Sequence, residues 1–587
     1  MSATIRSTAG VSPWRVAVIG LVGLLAVGIG IAAGSFLMTT RAAAVGSGAA
    51  YVPADAPFYF EMRLEPSEAQ DQALRDVLAH FPPIEGVDLD EPLYAQMTEK
   101  IDEMLVAEGA AVSWASDVAP WFDGHLAMAL TDFPLEAMEL PADPMAMPEV
   151  PPFVVLLGVT DATAAAGAID RILAEAGSDA PAFTESQHLG FTIRSSDGPD
   201  GGAYALTDDQ LVIASDADGV RAALDTHASG TGTLAEMAEI TRLTDALPTD
   251  WLAFVSYDMT ELMAGAFGQA AEQEPEMAAA FESLLEHQSL RGAMAFSAAG
   301  DRLLMDAATE PPSGPFAVVN ADRGLASEVP GDALYYSEAG NLGAAWAAVI
   351  EPTKQAVAAT PEGAEQLETM EAALGADLED LVSWIDGGAV AIGYDGSQPY
   401  GGLVLVPNDV EAAQRRLGQL RSFASLGALD PESGISVEET EVAGVTVTTI
   451  TWAAPVDAGL EMFAMPMAGG IVLEFAVTDD RALIGIGDVF VRRVLELDAA
   501  DSLAQVPRYA DAIATMGGAE NTAVTWLDLA RTRDALETAL GPIIDPADPD
   551  GLYESEVRPW LLPLDRVVSV SRLEGDVLVQ RTALLVE

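Results

Sequence analysis

Apolar positions along this chain follow two rhythms. Short runs rich in β-branched residues have the length and the flanking turn residues of strands: FVVLLGV (Phe153–Val159), LVIAS (Leu211–Ser215), GLVLV (Gly402–Val406) and VTVTTI (Val445–Ile450). Between them, TDATAAAGAIDRIL (Thr160–Leu173) repeats its apolar residues every three to four positions, with Thr160 or Asp161 placed to cap a helix. Asn408 and Asp409 stand in the same relation to the helical stretch that follows them. Thr207-Asp208-Asp209 and Thr478-Asp479-Asp480 each separate two apolar runs, as a hairpin turn does. Gly190 and Gly444 fall where hairpins call for a positive φ, and Gly300-Asp301 and Gly575-Asp576 join the last strand pairs. The pattern predicts an α+β fold, a largely antiparallel sheet with helices packed on one face.

The pattern is written twice. VPADAPFYFE (Val52–Glu61) returns as VPGDALYYSE (Val329–Glu338), and WFDGHLAMAL (Trp121–Leu130) as WIDGGAVAIG (Trp384–Gly393). LTDDQLVIASDADGVRAAL (Leu206–Leu224) is answered by VTDDRALIGIGDVFVRRVL (Val477–Leu495), and SAAGDRLLMDA (Ser297–Ala307) by RLEGDVLVQRT (Arg572–Thr582). The matches keep one order, which predicts two tandem homologous α+β units, residues 51–320 and 321–587.

One apolar stretch belongs to neither unit. Val16–Met38 is an uncharged run of 23 residues. At about 1.5 Å per residue it spans the roughly 30 Å hydrocarbon core of a bilayer. Its length exceeds that of a secretory signal core, so an uncleaved signal anchor is expected. Residues 1–15 then form a cytoplasmic N-terminus, 16–38 the transmembrane helix and 39–50 a linker, with the bulk of the chain extracytoplasmic at the cell membrane. Ala42-Ala43-Ala44 offers the rival, a cleavage site. Ala26, Gly30 and Gly34 form a small-residue ridge on the anchor, which a partner helix could use.

Composition narrows the function classes. The 91 acids against 27 bases give a formal net charge of −64, and Lys100 and Lys354 are the only lysines. Such a surface repels phosphate backbones, so no nucleic-acid partner is expected. With no cysteine, disulfides, thiolate metal sites and thiol nucleophiles are excluded. The five histidines, His80, His125, His188, His227 and His287, lack metal-ligand spacing. The acidic stretch Asp545–Glu556 misses the calcium-loop register. Nucleophile-elbow, phosphate-loop and zinc-helix motifs are absent, and no cofactor is expected.

Two features remain as candidate chemistry. Asp117, Trp121, Asp123 and Gly124 recur as Asp380, Trp384, Asp386 and Gly387. Paired carboxylates could do acid–base work. Without a repeated nucleophile or base beside them, a helix end, a packed Trp and an Asp-Gly turn into the next strand are expected instead. Second, the copies differ by two insertions, Thr131–Pro152 and Trp452–Gly470. They carry Met138, Met145 and Met147 in one, and Met462, Phe463, Met465 and Met467 in the other. Flexible thioethers suit adaptable apolar contacts, so these are candidate contact loops for a protein or lipid partner.

The apolar anchor, VPADAPFYFEMRL (Val52–Leu64), the strand–helix GVTDATAAAGAIDRIL and the Thr-Asp-Asp hairpins together resemble the bacterial "domain of unknown function 3352" family across nearly all of the chain beyond residue 50. The resemblance implies an envelope location and no assigned activity, so no catalytic residue carries over. Three functions follow in order of expectation: non-catalytic binding or scaffolding at the cell envelope, carriage of a hydrophobic ligand, and carboxylate-based hydrolysis. A carrier requires an apolar cavity lined by strand residues in each unit, a scaffold filled cores, and an enzyme converging ionisable groups in a cleft.

Overall fold

In the computed structural model the apolar runs pair into one antiparallel sheet of 20 strands. The structure describes residues 46–84, 86–107, 113–132, 152–176, 183–196, 202–260, 263–264, 285–358, 360–396, 398–430, 433–453, 471–547 and 551–587. The first ten strands are β1 (Phe58–Arg63), β2 (Phe122–Leu130), β3 (Phe153–Val159), β4 (Phe183–His188), β5 (Phe191–Ser196), β6 (Ala203–Leu206), β7 (Gln210–Ala214), β8 (Ala253–Asp258), β9 (Arg291–Ala298) and β10 (Arg302–Thr309). The second ten are β11 (Ala333–Gly340), β12 (Ile385–Tyr394), β13 (Pro399–Pro407), β14 (Ile435–Val442), β15 (Val445–Trp452), β16 (Ile471–Val477), β17 (Ala482–Ile486), β18 (Ala523–Asp528), β19 (Leu564–Glu574) and β20 (Val577–Val586).

Hydrogen-bonded neighbours in the first half run β4-β5-β6-β7-β3-β2-β1-β8-β9-β10. The second half runs β14-β15-β16-β17-β13-β12-β11-β18-β19-β20, the same order with every label raised by ten. The halves join where β10 pairs with β20, from Arg302 opposite Leu585 to Thr309 opposite Leu578. They therefore share one sheet.

The expected turns are in place. Asp161 caps the helix Ala162–Ala176 through the amides of Thr163 and Ala164, and Asp409 caps Val410–Gly427 through Ala412. Thr207 and Thr478 close the two Thr-Asp-Asp hairpins. Gly190 and Gly444 have φ of 92° and 83°. Each follows a second left-handed residue, Leu189 at 50° and Ala443 at 51°, so both hairpins turn through two positive φ angles.

Helices cover both faces of the sheet, not one. Val154 and Leu156 of β3 join the core built with Val220, Leu224, Ile240 and Leu243 of the helices Ala217–Ser229 and Ala238–Asp245. Leu157 and Val159 point the other way, to Trp121, Ala165 and Ala168. The second half repeats this: Val404 packs with Phe490 and Tyr509, while Leu403 and Leu405 pack with Trp346, Trp384 and Leu417. The reason lies in the strands, whose residues of both parities are apolar where the expected one-faced sheet has alternation. Two further differences are local. Asp123-Gly124 and Asp386-Gly387 lie inside β2 and β12, at register shifts between Phe122 and Leu126 and between Ile385 and Gly387, and not in turns before the strands. Residues 47–51, at the end of the expected linker, form a 3₁₀ helix in which Gly48, Ala49 and Tyr51 are buried.

The expected membrane helix, Val16–Met38, lies outside the described residues. Among the described residues no helix is long and apolar enough to cross a membrane.

Candidate functional site

Strand β1 alternates so that Tyr59 and Glu61 face the same side, and both are buried. A buried carboxylate needs donors. Glu61 has three: its Oε2 accepts the amide of Gly46 at 2.7 Å and the hydroxyl of Tyr59 at 2.7 Å, and its Oε1 meets Nδ1 of His125 at 2.8 Å. His125 comes from the neighbouring strand β2, where it stands opposite Arg63. Its ring meets Trp251 edge-on at 6.3 Å, and the Arg63 guanidinium lies 4.0 Å over that indole. The hydrogen bond to Glu61 pushes the His125 pKa up, against the effect of burial. Burial, reinforced by the Glu61 charge, drives the Tyr59 hydroxyl well above the usual phenol range.

The second half holds the same pair. Tyr336 donates to Oε2 of the buried Glu338, which also accepts the amide of Leu325 at 3.0 Å. Burial raises the Glu338 pKa, partly offset by these two hydrogen bonds. The repeated phrases place Gly388 where the first half has His125, so the imidazole is absent from this copy. In each half the carboxylate holds the start of a 3₁₀ helix, Ser47–Tyr51 or Leu325–Glu328. Chemically the cluster is a clamp in which the first half alone carries an imidazole, and the described partners of the His125 ring are a carboxylate and an aromatic neighbour.

The acid–tryptophan phrase is structural in its geometry. Asp117 accepts the Ser113 amide at 3.0 Å and pairs with Arg171 at 2.7 Å, and Asp380 pairs with Arg416. Its hydrogen bond to the Ser113 backbone, then the one from Arg171, lowers the Asp117 pKa. Trp121 and Trp384 are buried and donate Nε1 to the carbonyls of Asp117 at 2.5 Å and Leu381 at 2.7 Å. Asp123 and Asp386 are exposed; Asp123 Oδ1 accepts the His125 amide at 2.8 Å, and its charge adds to the rise in the His125 pKa. Met138, Met145, Met147, Met462, Phe463, Met465 and Met467 lie outside the described residues. Among the described residues no group of three or more His, Asp or Glu could hold a metal ion.

Two open grooves lie along helices. One, about 530 Å³, is lined by Arg242, Asp245, Glu574 and Asp576, and Arg242 crosses it to reach Glu310 and the Asp576 carbonyl. The other, about 810 Å³, is lined by Glu351, Lys354, Glu371 and Asp380, with Lys354 held by Glu371 and Glu379 at 2.8 and 2.9 Å. Neither is an apolar cavity between strands.

The sequence profile of the family described as "Protein of unknown function (DUF3352)" matches residues 16–549. The chain belongs to the DUF3352 family. The matched segment includes the apolar run, the first half of the sheet and the second half as far as β18, ending before β19 and β20. No curated protein matches the chain. Among solved structures, crystal forms I and III of TP0453 are similar at 7% identity. They cover 45% and 46% of this chain and 79% and 82% of the other, with TM-scores of 0.21 and 0.23. At that level of superposition the likeness carries no argument.

Proposed function

We propose that this DUF3352 protein is a non-catalytic, single-pass anchored protein of the cell envelope, whose two tandem-duplicated halves present a rigid extracytoplasmic binding or scaffolding surface. The observation that carries the binding reading is the filling of the sheet on both faces. Large side chains such as Trp251, Phe254, Trp526 and Phe490 occupy the space a carrier would keep open. The described grooves are charged and crossed by ion pairs. A group of exposed apolar side chains lies outside the sheet. Leu536, Leu552, Val557, Trp560 and Leu562 are all exposed within the helical excursion between β18 and β19. The Met-rich insertions add to this surface on their sequence alone.

The anchor reading rests on the 23-residue apolar run and on its inclusion in the family match. It is tested by deleting residues 16–38. The full chain is expected in the alkali-resistant membrane fraction and cut by protease added outside the cytoplasmic membrane, and the deletion variant is expected in neither state. A full chain that alkali strips from the membrane overturns the anchor.

A further inference from the structure

We propose that the seam between β10 and β20 is a two-fold interface carried within one chain, and that Asp306 and Arg581 make each half accept the other and reject its own kind. The repeated phrases SAAGDRLLMDA and RLEGDVLVQRT put Asp306 and Arg581 at equivalent positions. The ladder places these two residues directly opposite each other. Around them, Leu304 faces Ala583 and Ala308 faces Val579, although in the repeat Leu304 is equivalent to Val579 and Ala308 to Ala583. That crossing is the signature of a self-complementary interface, in which only the residue on the axis meets its own counterpart.

The halves also lend each other core residues. Val577 and Val579 of the second half pack in the core of the first, and Leu304 of the first packs against the core of the second. A half without its neighbour would expose these residues and an unpaired strand edge. The position on the axis decides which neighbour fits. Asp306 is 1% exposed, and Arg581 donates Nε to its Oδ1. Two first halves would bury carboxylate against carboxylate, and two second halves would set half-exposed guanidinium against half-exposed guanidinium; both pairings are repulsive. Only the mixed pairing neutralises the site.

The inference rests on the equivalence of the halves and not on the anchor, so its failure and that of the anchor reading are separately visible. The test is a charge exchange in the full chain, read by urea unfolding and by amide exchange along β10 and β20 against β4–β7. Asp306→Arg and Arg581→Asp are each expected to lower the folding constant at least roughly tenfold. Each should also speed exchange at the seam first. Asp306→Arg combined with Arg581→Asp is expected to recover to within about threefold of the parent. If the single reversals fail to fold, neutral variants decide: Arg581→Gln, which strands the buried carboxylate, should lose more than Asp306→Asn, which leaves a half-exposed guanidinium. A double exchange no better than the two losses combined, or equal losses in the neutral variants, overturns the proposal.

Discussion

Glu338 shows how much one buried residue does. Removing its side chain leaves the Tyr336 hydroxyl and the Leu325 amide without their acceptor. Two orphaned buried donors predict a loss of roughly 2–4 kcal/mol for Glu338→Ala, measured by urea unfolding. Glu338→Gln keeps an acceptor and should cost less. It should also change the pH profile. The folded-state pKa of Glu338 is raised, so its contribution is fully present below the ordinary glutamate value of 4.5 and is lost as pH rises through the raised value. Stability of Glu338→Gln should therefore fall less between pH 4.5 and neutrality than that of the parent, and parallel profiles would contradict the assignment. The Tyr-x-Glu spacing stands in both repeated phrases but was not singled out among the candidate residues, although a strand places positions two apart on one face. That the face is buried was not legible. It depends on the 3₁₀ segments at residues 47–51 and 325–328, whose amides need an acceptor but leave no periodic trace.

At the scale of elements, the hairpins between β4 and β5 and between β14 and β15 carry strain that substitution can relieve. Ala443 sits at φ 51° and is exposed, before Gly444 at φ 83°. Turns of this kind favour Asn-Gly. Ala443→Asn is expected to stabilise the protein by about 0.5–1 kcal/mol in urea unfolding. No gain, or a loss, would show that the turn conformation is different. Strand and turn positions were readable because they depend on local chemistry: Asp161 and Asp409 cap, Thr207 and Thr478 turn, and Gly190 and Gly444 take positive φ. Helix placement was not readable. Leu157 beside Leu156 in β3 shows that adjacent positions are both apolar, which is the mark of a strand covered on both faces. The Asp-Gly pairs read as turns because register shifts at the start of β2 and β12 use the same residues that turns do.

For the whole molecule, twenty strands join the two halves in one continuous sheet. The repeated phrases were visible in sequence, but the pairing of the two halves was not, because strand pairing between distant segments leaves no local signal. The seam follows from the closing hairpins, whose outer strands β10 and β20 would otherwise be free edges. Under the proposed function the molecule works through its surface and holds no cargo within the sheet, a reading supported by the large side chains buried on both faces. Native mass spectrometry of the full-length protein, released from its own membranes without added lipid, tests that claim most directly. The mass of the bare polypeptide is predicted; a stoichiometric extra mass that disappears on solvent extraction would contradict it and reveal a carried ligand.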